Sequence, residues 1–267
     1  MKALLVTALL LYAAFALFAW FVSDRMMFMP PAASYDARGL PIVMVPSSDG
    51  GSIATLYLPN PRATLTLLYS HGNAEDLGQL APWLEQYRQN GFSVLAFDYR
   101  GYGASTGGPP STSGATRDME TVYRHAVGTL GVRPASIVLL GRSVGSGPAT
   151  DLAAHMPVGG LVIESGFVSA FRVLTRVALL PFDRYENLRT IRRVRCPVLV
   201  IHGREDAVIP FSHGRRLYEA ANQPKQSLWV EGAGHNDVLP VAGARYWTAL
   251  RQFAQLVATH EGSAPTP

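Results

Sequence analysis

At 267 residues the chain is long enough for one large α/β domain with a substantial core, and too short for two such domains plus a linker. Its formal charge of +4 comes almost wholly from arginine, since Lys2 and Lys225 are its only lysines. No Walker loop, dinucleotide fingerprint or nucleic-acid motif accompanies that charge, and attraction to anionic lipid accounts for it, so neither a cofactor nor a nucleic-acid partner is expected.

Residues 3–22 form an uncharged run rich in Leu, Ala and Phe, closed by Trp20 and Phe21 ahead of Ser23, Asp24 and Arg25. At about 1.5 Å per residue such a run spans about 30 Å, one hydrocarbon thickness. A secretory signal would end in small residues, and Phe18-Ala-Trp-Phe-Val22 has no such cleavage site. Residues 1–25 therefore read as a retained single-pass anchor. Its orientation stays open: Lys2 and the amino terminus lie on one side, Arg25 and Arg38 on the other, which leaves the positive-inside rule almost no asymmetry.

The proline-rich stretch 28–41 reads as a connector leaving the membrane. Residues 42–45 and 52–58, separated by Pro46-Ser-Ser-Asp-Gly-Gly51, read as a β-hairpin. An alternation follows: strand 64–70, helix 77–90 stopped by Gly91, strand 93–98, helix 112–130, strand 136–140 and helix 146–155. Strands 160–164 and 198–202, helix 211–221, strand 227–231 and a closing helix 241–257 complete it. Strands this apolar, each followed by a helix, indicate an α/β fold with a mostly parallel sheet covered by helices on both faces. The domain runs over 26–260, with 261–267 as a disordered tail. Cys196, alone and next to Pro197, cannot form an intramolecular disulfide and reads as a small core residue.

The strand at 136–140 runs into Gly141-Arg-Ser-Val-Gly145, the Gly-x-Ser-x-Gly nucleophile elbow. A serine at so sharp a strand-to-helix turn has its hydroxyl pushed out of the sheet, and the positions crowded beside it must be nearly free of side chain. Ser143 is thus a candidate nucleophile. Ligands in open α/β sheets sit outside the carboxyl ends of the strands, so polar residues just past strands are the next candidates. His71-Gly-Asn-Ala74 supplies the backbone N–H of Asn73, which pairs with that of Val144 as an oxyanion hole; alternatively Asn73 or Asp76 caps the next helix. Past strand 198–202, Asp206 is the carboxylate that would hold a catalytic imidazole, with Glu205 as fallback and a solvated acidic loop as the plain alternative. Past the last strand, His235 in Glu231-Gly-Ala-Gly-His235 is the candidate base. The chain order Ser, Asp, His is that of the α/β-hydrolases. His71 and His202 orient loops; His125, His155, His213 and His260 lie on helices or the tail. Glu75, Asp98 and Asp237 near the same rim are either supports for these residues or loop caps. No metal-ligand spacing occurs.

Between Glu164 and Cys196 the rhythm breaks, which suggests a short lid at about 165–196. Phe167, Phe171, Leu174 and Ala178 recur at helical spacing on one face, with Arg172 and Arg176 opposite and Pro181 ending the helix. That face reads equally as an ordinary packed amphipathic helix or as an apolar substrate-binding wall. Arg189, Arg192, Arg193 and Arg195 extend the basic surface.

Five runs carry a resemblance: Tyr69-Ser-His-Gly-Asn-Ala-Glu-Asp-Leu-Gly-Gln79, Asp98-Tyr-Arg-Gly-Tyr-Gly103, Gly141-Arg-Ser-Val-Gly-Ser-Gly147, Val200-Ile-His-Gly-Arg-Glu-Asp-Ala-Val-Ile209 and Leu228-Trp-Val-Glu-Gly-Ala-Gly-His-Asn-Asp237. From about Met29 to Leu256 the chain resembles the α/β-hydrolase-domain protein depalmitoylases of animals, the "17" branch. Bud-emergence-type hydrolases and bacterial relatives classed with serine aminopeptidases belong to the same wider group. By match to its motifs Ser143, Asp206 and His235 carry over as the triad. The resemblance implies a serine hydrolase that cleaves acyl esters or thioesters, lipidated proteins being its sharpest substrate. A general carboxylesterase, lipase or aminopeptidase-like hydrolase is the alternative, although no acidic cluster is evident to hold a free amino terminus. The front end departs: those depalmitoylases attach through a cysteine-rich, palmitoylated amino terminus, and here a hydrophobic helix stands instead. Membrane location carries over, whereas the side of the membrane and the protein substrates do not follow. A non-catalytic membrane scaffold on a hydrolase fold is the reading from another class, against which the full set of three residues and two elbow glycines speaks.

Overall fold

The computed structural model describes residues 1–36 and 39–263. Among them eight strands form one sheet in the order β1-β2-β4-β3-β5-β6-β7-β8. These are β1 (Ile42–Pro46), β2 (Ser52–Leu58), β3 (Thr66–Ser70), β4 (Ser93–Phe97), β5 (Ile137–Arg142), β6 (Gly160–Glu164), β7 (Val198–Gly203) and β8 (Lys225–Val230). β1 pairs antiparallel with β2, and β2 with β4; every other pairing is parallel. The helices in chain order are α1 (Lys2–Met27), α2 (Leu77–Gln89), α3 (Thr112–Gly128), α4 (Ser146–His155), α5 (Ala170–Thr175), α6 (Asn187–Thr190), α7 (Ser212–Ala220), α8 (Val238–Ala242) and α9 (Ala244–Ser263).

Side chains alternate across a strand, so a strand covered on both faces must be apolar at every position. Leu68, Leu139 and Ile163 join the core formed with α3 and α4, which contribute Met119, Val122 and Leu152. Their sequence neighbours Leu67, Val138 and Val162 join the opposite core, with Leu80 and Leu84 of α2 and Tyr246, Leu250 and Phe253 of α9. Cys196 is buried in the first core, where burial pushes its thiol up to about 12. Strand order reverses between β3 and β5, the neighbours on either side of the topological switch point, and the crevice beyond their carboxyl ends is where such sheets hold ligands.

Three elements differ from the sequence expectation. The closing helix is two helices, because Gly243 takes a left-handed φ of 52° between α8 and α9. α9 then reaches Ser263, into the stretch expected to be a tail, while 264–267 lie outside the described residues, as does Arg38. The lid helix is short. α5 stops at Arg176, whose φ of 60° is left-handed, and the Thr175 hydroxyl bonds the Phe171 and Val177 carbonyls, a local bonding that competes with helix propagation. Phe167 precedes that helix instead of lying on it.

α1 has a mean hydropathy of 2.3 over its best window, none of it buried. Its lower end is docked on the domain: Ser23 and Phe28 are 5% and 3% exposed, and Phe28 belongs to a core. The connector that follows is not a loose tether. Met29 N–H donates to Asn73 Oδ1 at 2.8 Å, Ser34 N–H and Oγ both reach Asp76, and Tyr35 Oη donates to Asp98 at 2.5 Å. It therefore straps the loop after β3.

Candidate active site

β5 delivers Ser143 to the switch point with a φ of 51°, a left-handed conformation that few non-glycine residues adopt and that only surrounding structure can hold. The flanking glycines are the reason it fits. A Cβ on Gly145 would strike the Ser70 and His71 carbonyls, and one on Gly141 would strike the Gly145 carbonyl and Ala149. Ser146 Oγ donates to the Ser143 carbonyl at 2.6 Å and closes the turn into α4.

Ser143 Oγ lies 2.9 Å from His235 Nε2, and His235 Nδ1 lies 2.8 Å from Asp206 Oδ2. The second oxygen of Asp206 accepts the N–H groups of Val208 and Ile209 at 2.9 and 2.7 Å. Burial pushes the Asp206 carboxyl up, but hydrogen bonds from His202, His235 and the Ile209 N–H outweigh it and hold the group well below the usual carboxylate range. A buried anion behind an imidazole, with a hydroxyl in front of it, is an arrangement able to take a proton from that hydroxyl and stabilise the resulting imidazolium. Glu205, the fallback carboxylate, is exposed beside it. The loop holding His235 is shaped by the Gly234 N–H bond to Asp237 at 2.7 Å.

Asn73 and Val144 line one cavity together with Ser143 and His235. The Asn73 side chain is consumed by the loop itself, accepting from Met29 N–H, Ala74 N–H and Tyr102 Oη, each at 2.8 Å. Asp76 caps α2 by accepting the Gln79 N–H. Of the two candidate caps, Asp76 has that task. Glu75 Oε1 accepts the Gly72 N–H at 2.5 Å and so fixes the turn. His71 Nδ1 sits 2.6 Å from the Gly72 carbonyl, and His202 Nε2 sits 2.8 Å from the Ile209 carbonyl and 3.4 Å from Asp206.

Arg142, which no sequence pattern singled out, spans these pieces. Nη1 is 2.8 Å from Glu75 Oε1, Nη2 is 2.8 Å from Asn236 Oδ1, and Nε is 3.5 Å from Glu164 Oε1. Glu164 also accepts from Tyr246 Oη, and burial pushes its carboxyl up against the pull of Arg142.

The cavity above Ser143 measures about 730 Å³, within the usual range for small-molecule sites. Phe167, Phe171, Leu174 and Ala178 of the insertion line it, joined by residues of α1. Phe167 is buried; Leu174 is 77% exposed at the rim.

Comparison with known proteins adds ancestry to this geometry. A family model described as Hydrolase_4, serine aminopeptidase S33, matches residues 59–180. α/β-Hydrolase domain-containing protein 17B of Homo sapiens is 37% identical over 226 residues, covering 83% of this chain and 77% of that protein. The chain belongs to the α/β-hydrolase domain-containing protein 17 family. A Caenorhabditis elegans relative, α/β-hydrolase domain-containing protein aho-3, is 39% identical over 211 residues, covering 77% of this chain and 62% of the relative. Solved structures share the family's α/β-hydrolase fold at low identity. An esterase of Pyrococcus furiosus superposes with a TM-score of 0.70 at 19% identity, covering 85% of this chain and 98% of its own. A hydrolase from Pseudomonas aeruginosa does so at 0.63 and 20%, covering 80% and 98%. The Hydrolase_4 match spans the loop after β3 and the elbow and ends before Asp206 and His235.

Proposed function

We propose that this chain is a membrane-anchored serine hydrolase of acyl esters or thioesters. The observation that carries the reading is the continuous hydrogen-bonded line from Ser143 Oγ through His235 to Asp206, opening into an apolar cavity. Ser143 Oγ attacks the acyl carbon while His235 Nε2 takes its proton. The N–H groups of Asn73 and Val144 meet the oxygen that becomes negative, and Asp206 stabilises the imidazolium. His235 then protonates the departing alcohol or thiol, and water activated by the same imidazole releases the acyl group.

The phenylalanines around the cavity favour a long acyl chain, and membership of the family makes lipidated proteins the sharpest substrate. Retention of α1 is supported by its docking: a leader destined for removal has no need of a buried Ser23 or of hydrogen bonds from Arg184 to Trp20 and Ser23. A general carboxylesterase on shorter esters is the second reading, favoured by the fold shared with the Pyrococcus furiosus esterase.

The test uses the full chain in phospholipid nanodiscs. A fluorophosphonate probe labels the wild type and not Ser143→Ala, and matched esters and thioesters over a chain-length series show rates rising toward long chains. Preference for two-carbon acyl groups would overturn the long-chain reading. Folded wild type that resists the probe would overturn the hydrolase itself.

A further inference from the structure

We propose that α1 is one wall of the acyl-chain site and not only a tether, so that the chain of a bilayer-resident substrate reaches Ser143 sideways, between α1 and the insertion at 170–183. The identity of the substrate rests on the hydrolase reading above; the groove itself rests on geometry alone.

The cavity that contains Ser143 and His235 is also lined by Phe15, Phe18, Ala19, Val22 and Met26. Their spacing of i, i+3, i+4, i+7 and i+11 places them on a single face of α1. From Met26 to Phe15 the helix rises about 16 Å, which is roughly half a hydrocarbon thickness. The groove is therefore about as long as one leaflet is deep, the reach of one lipid-anchored acyl chain.

Two further observations place the rim of this groove in hydrocarbon. The tip of the insertion exposes Leu174, Val177 and Leu179 at 77%, 58% and 52%, alongside an equally exposed α1. In water such a patch is a liability, whereas against a spanning helix it is solvated by lipid. Moreover Tyr12 Oη donates to the Leu179 carbonyl at 3.0 Å, so the tip stands beside α1 well above its docked end. Non-helical backbone at membrane depth has to have its polar groups satisfied by protein, and that hydroxyl does so.

The lower limit is marked by polar groups. Arg184 Nη2 donates to the Trp20 carbonyl at 2.7 Å, its guanidinium lies 4.5 Å from the centre of the Trp20 ring, and Asp24 accepts from the Thr112 N–H at 3.3 Å. A tryptophan with an arginine and an aspartate beneath it is the composition of a membrane–water interface. This puts the interface at about Trp20 to Asp24, so that the Phe15–Ala19 part of the groove rises into the bilayer while Val22 and Met26 line its continuation on the domain side.

The experiment compares full-length variants in phosphatidylcholine nanodiscs. Ala19→Trp fills the groove face of α1, and Ala13→Trp adds the same bulk on the opposite face. For a hexadecanoyl ester dissolved in the bilayer, Ala19→Trp is expected to lower kcat/KM on the order of ten-fold, while a water-soluble butanoyl ester changes less than two-fold. Ala13→Trp leaves both unchanged. Equal losses on both esters, or none on the long one, would overturn the groove and favour entry of the acyl chain from water. A second arm does not depend on catalysis. Phosphatidylcholine carrying a diazirine on its acyl chain is photolysed with Ser143→Ala, and adducts are mapped by mass spectrometry. Adducts at 144 and 235–236, lost on adding Ala19→Trp, support the groove even where no ester is hydrolysed, which separates its fate from that of the hydrolase reading. Adducts confined to the outer face of α1 overturn it.

Discussion

Arg142 Nη1 and Glu75 Oε1 are 2.8 Å apart, and the same carboxylate oxygen accepts the Gly72 N–H. Through this one ion pair the residue before Ser143 holds the turn before Asn73, and the remaining arm of the guanidinium holds Asn236, next to His235. Three of the four loops that carry the proposed chemistry, all but the one that holds Asp206, are thus tied to a single planar group. Both members are largely shielded, at 13% and 18% side-chain exposure, so the pair is screened far less than a surface one.

Arg142→Lys keeps the charge and loses the fork, so it can satisfy at most part of this geometry. Its kcat on a long-chain ester is expected to fall ten- to a hundred-fold with KM nearly unchanged, because the loops are misplaced while the cavity persists. Arg142→Met, which leaves Glu75 and Glu164 without their cation, is expected to cost about 3 kcal/mol of stability as well. Steady-state kinetics and denaturant unfolding in detergent read the two effects. A lysine variant with wild-type kcat would show that the fork positions nothing.

Asp206 and the neighbouring Glu205 separate cleanly. Asp206→Asn retains the shape but removes the charge that stabilises an imidazolium and fixes its tautomer, and a loss on the order of 10⁴ in kcat is expected. Glu205→Gln, on an exposed side chain, is expected to stay within about two-fold of wild type. Burst and steady-state rates with a chromogenic ester decide it, and comparable losses in the two variants would mean that the wrong carboxylate has been assigned.

The placement of Ser143 and Asp206 at strand ends could be read from the sequence because each sits just past a strand buried on both faces, which announces itself as a continuous apolar run such as Ile137–Leu140 or Val198–Ile201. His235, by contrast, follows the half-buried β8 and stood out by its place in the chain order. The elbow glycines were legible for the same steric reason that the structure displays. Arg142 was not, since its partners Glu75 and Asn236 are 67 and 94 residues away and ion pairs carry no periodicity. The end of α5 was illegible too: the apolar spacing runs on to Ala178, while a single left-handed residue at Arg176 stops the helix. The inner face of α1 could not be distinguished because the helix is apolar all round, which signals length and hides which side is occupied.

His213 predicts a pH response in the insertion. It is 5% exposed on α7, and its Nδ1 accepts the Val168 N–H at 3.2 Å, which requires an unprotonated ring nitrogen there. Burial first, then His202 and Arg216, push its pKa down to about 4, while Asp206 pulls the other way. Between the unfolded value near 6.5 and that folded value the unfolded chain binds more protons, so stability is fully present above about pH 6.5 and declines as the pH falls toward 4. By pH 5 the loss from this residue is expected to reach about 2 kcal/mol. His213→Asn, which keeps an acceptor and cannot titrate, is expected to flatten that part of the curve. Denaturant unfolding at pH 7.5 and 5 measures it; equal slopes in both proteins would assign the response elsewhere.

Arg184 joins α1 to the insertion, and its removal tests whether that union matters to the substrate. Its Nε donates to Ser23 Oγ at 3.1 Å, its Nη2 to the Trp20 carbonyl at 2.7 Å, and Phe182 packs edge-on against Trp20 with ring centres 5.0 Å apart. Two hydrogen bonds from a cation and one cation–π contact together amount to about 2 kcal/mol. Arg184→Ala is therefore expected to raise the opened population of residues 176–186 by roughly 30-fold, read as faster proteinase K cleavage there, since cleavage tracks that population while reclosing is fast. The same variant is expected to lose several-fold in rate on a bilayer-dissolved hexadecanoyl ester and little on a soluble butanoyl ester, because the wall moves while Ser143 and His235 stay in place. Arg184→Lys keeps the charge and gives up the planar stacking on Trp20, and is expected to fall between the two. Faster proteolysis without a loss on the long ester would leave Arg184 as a brace for the fold and detach it from substrate entry.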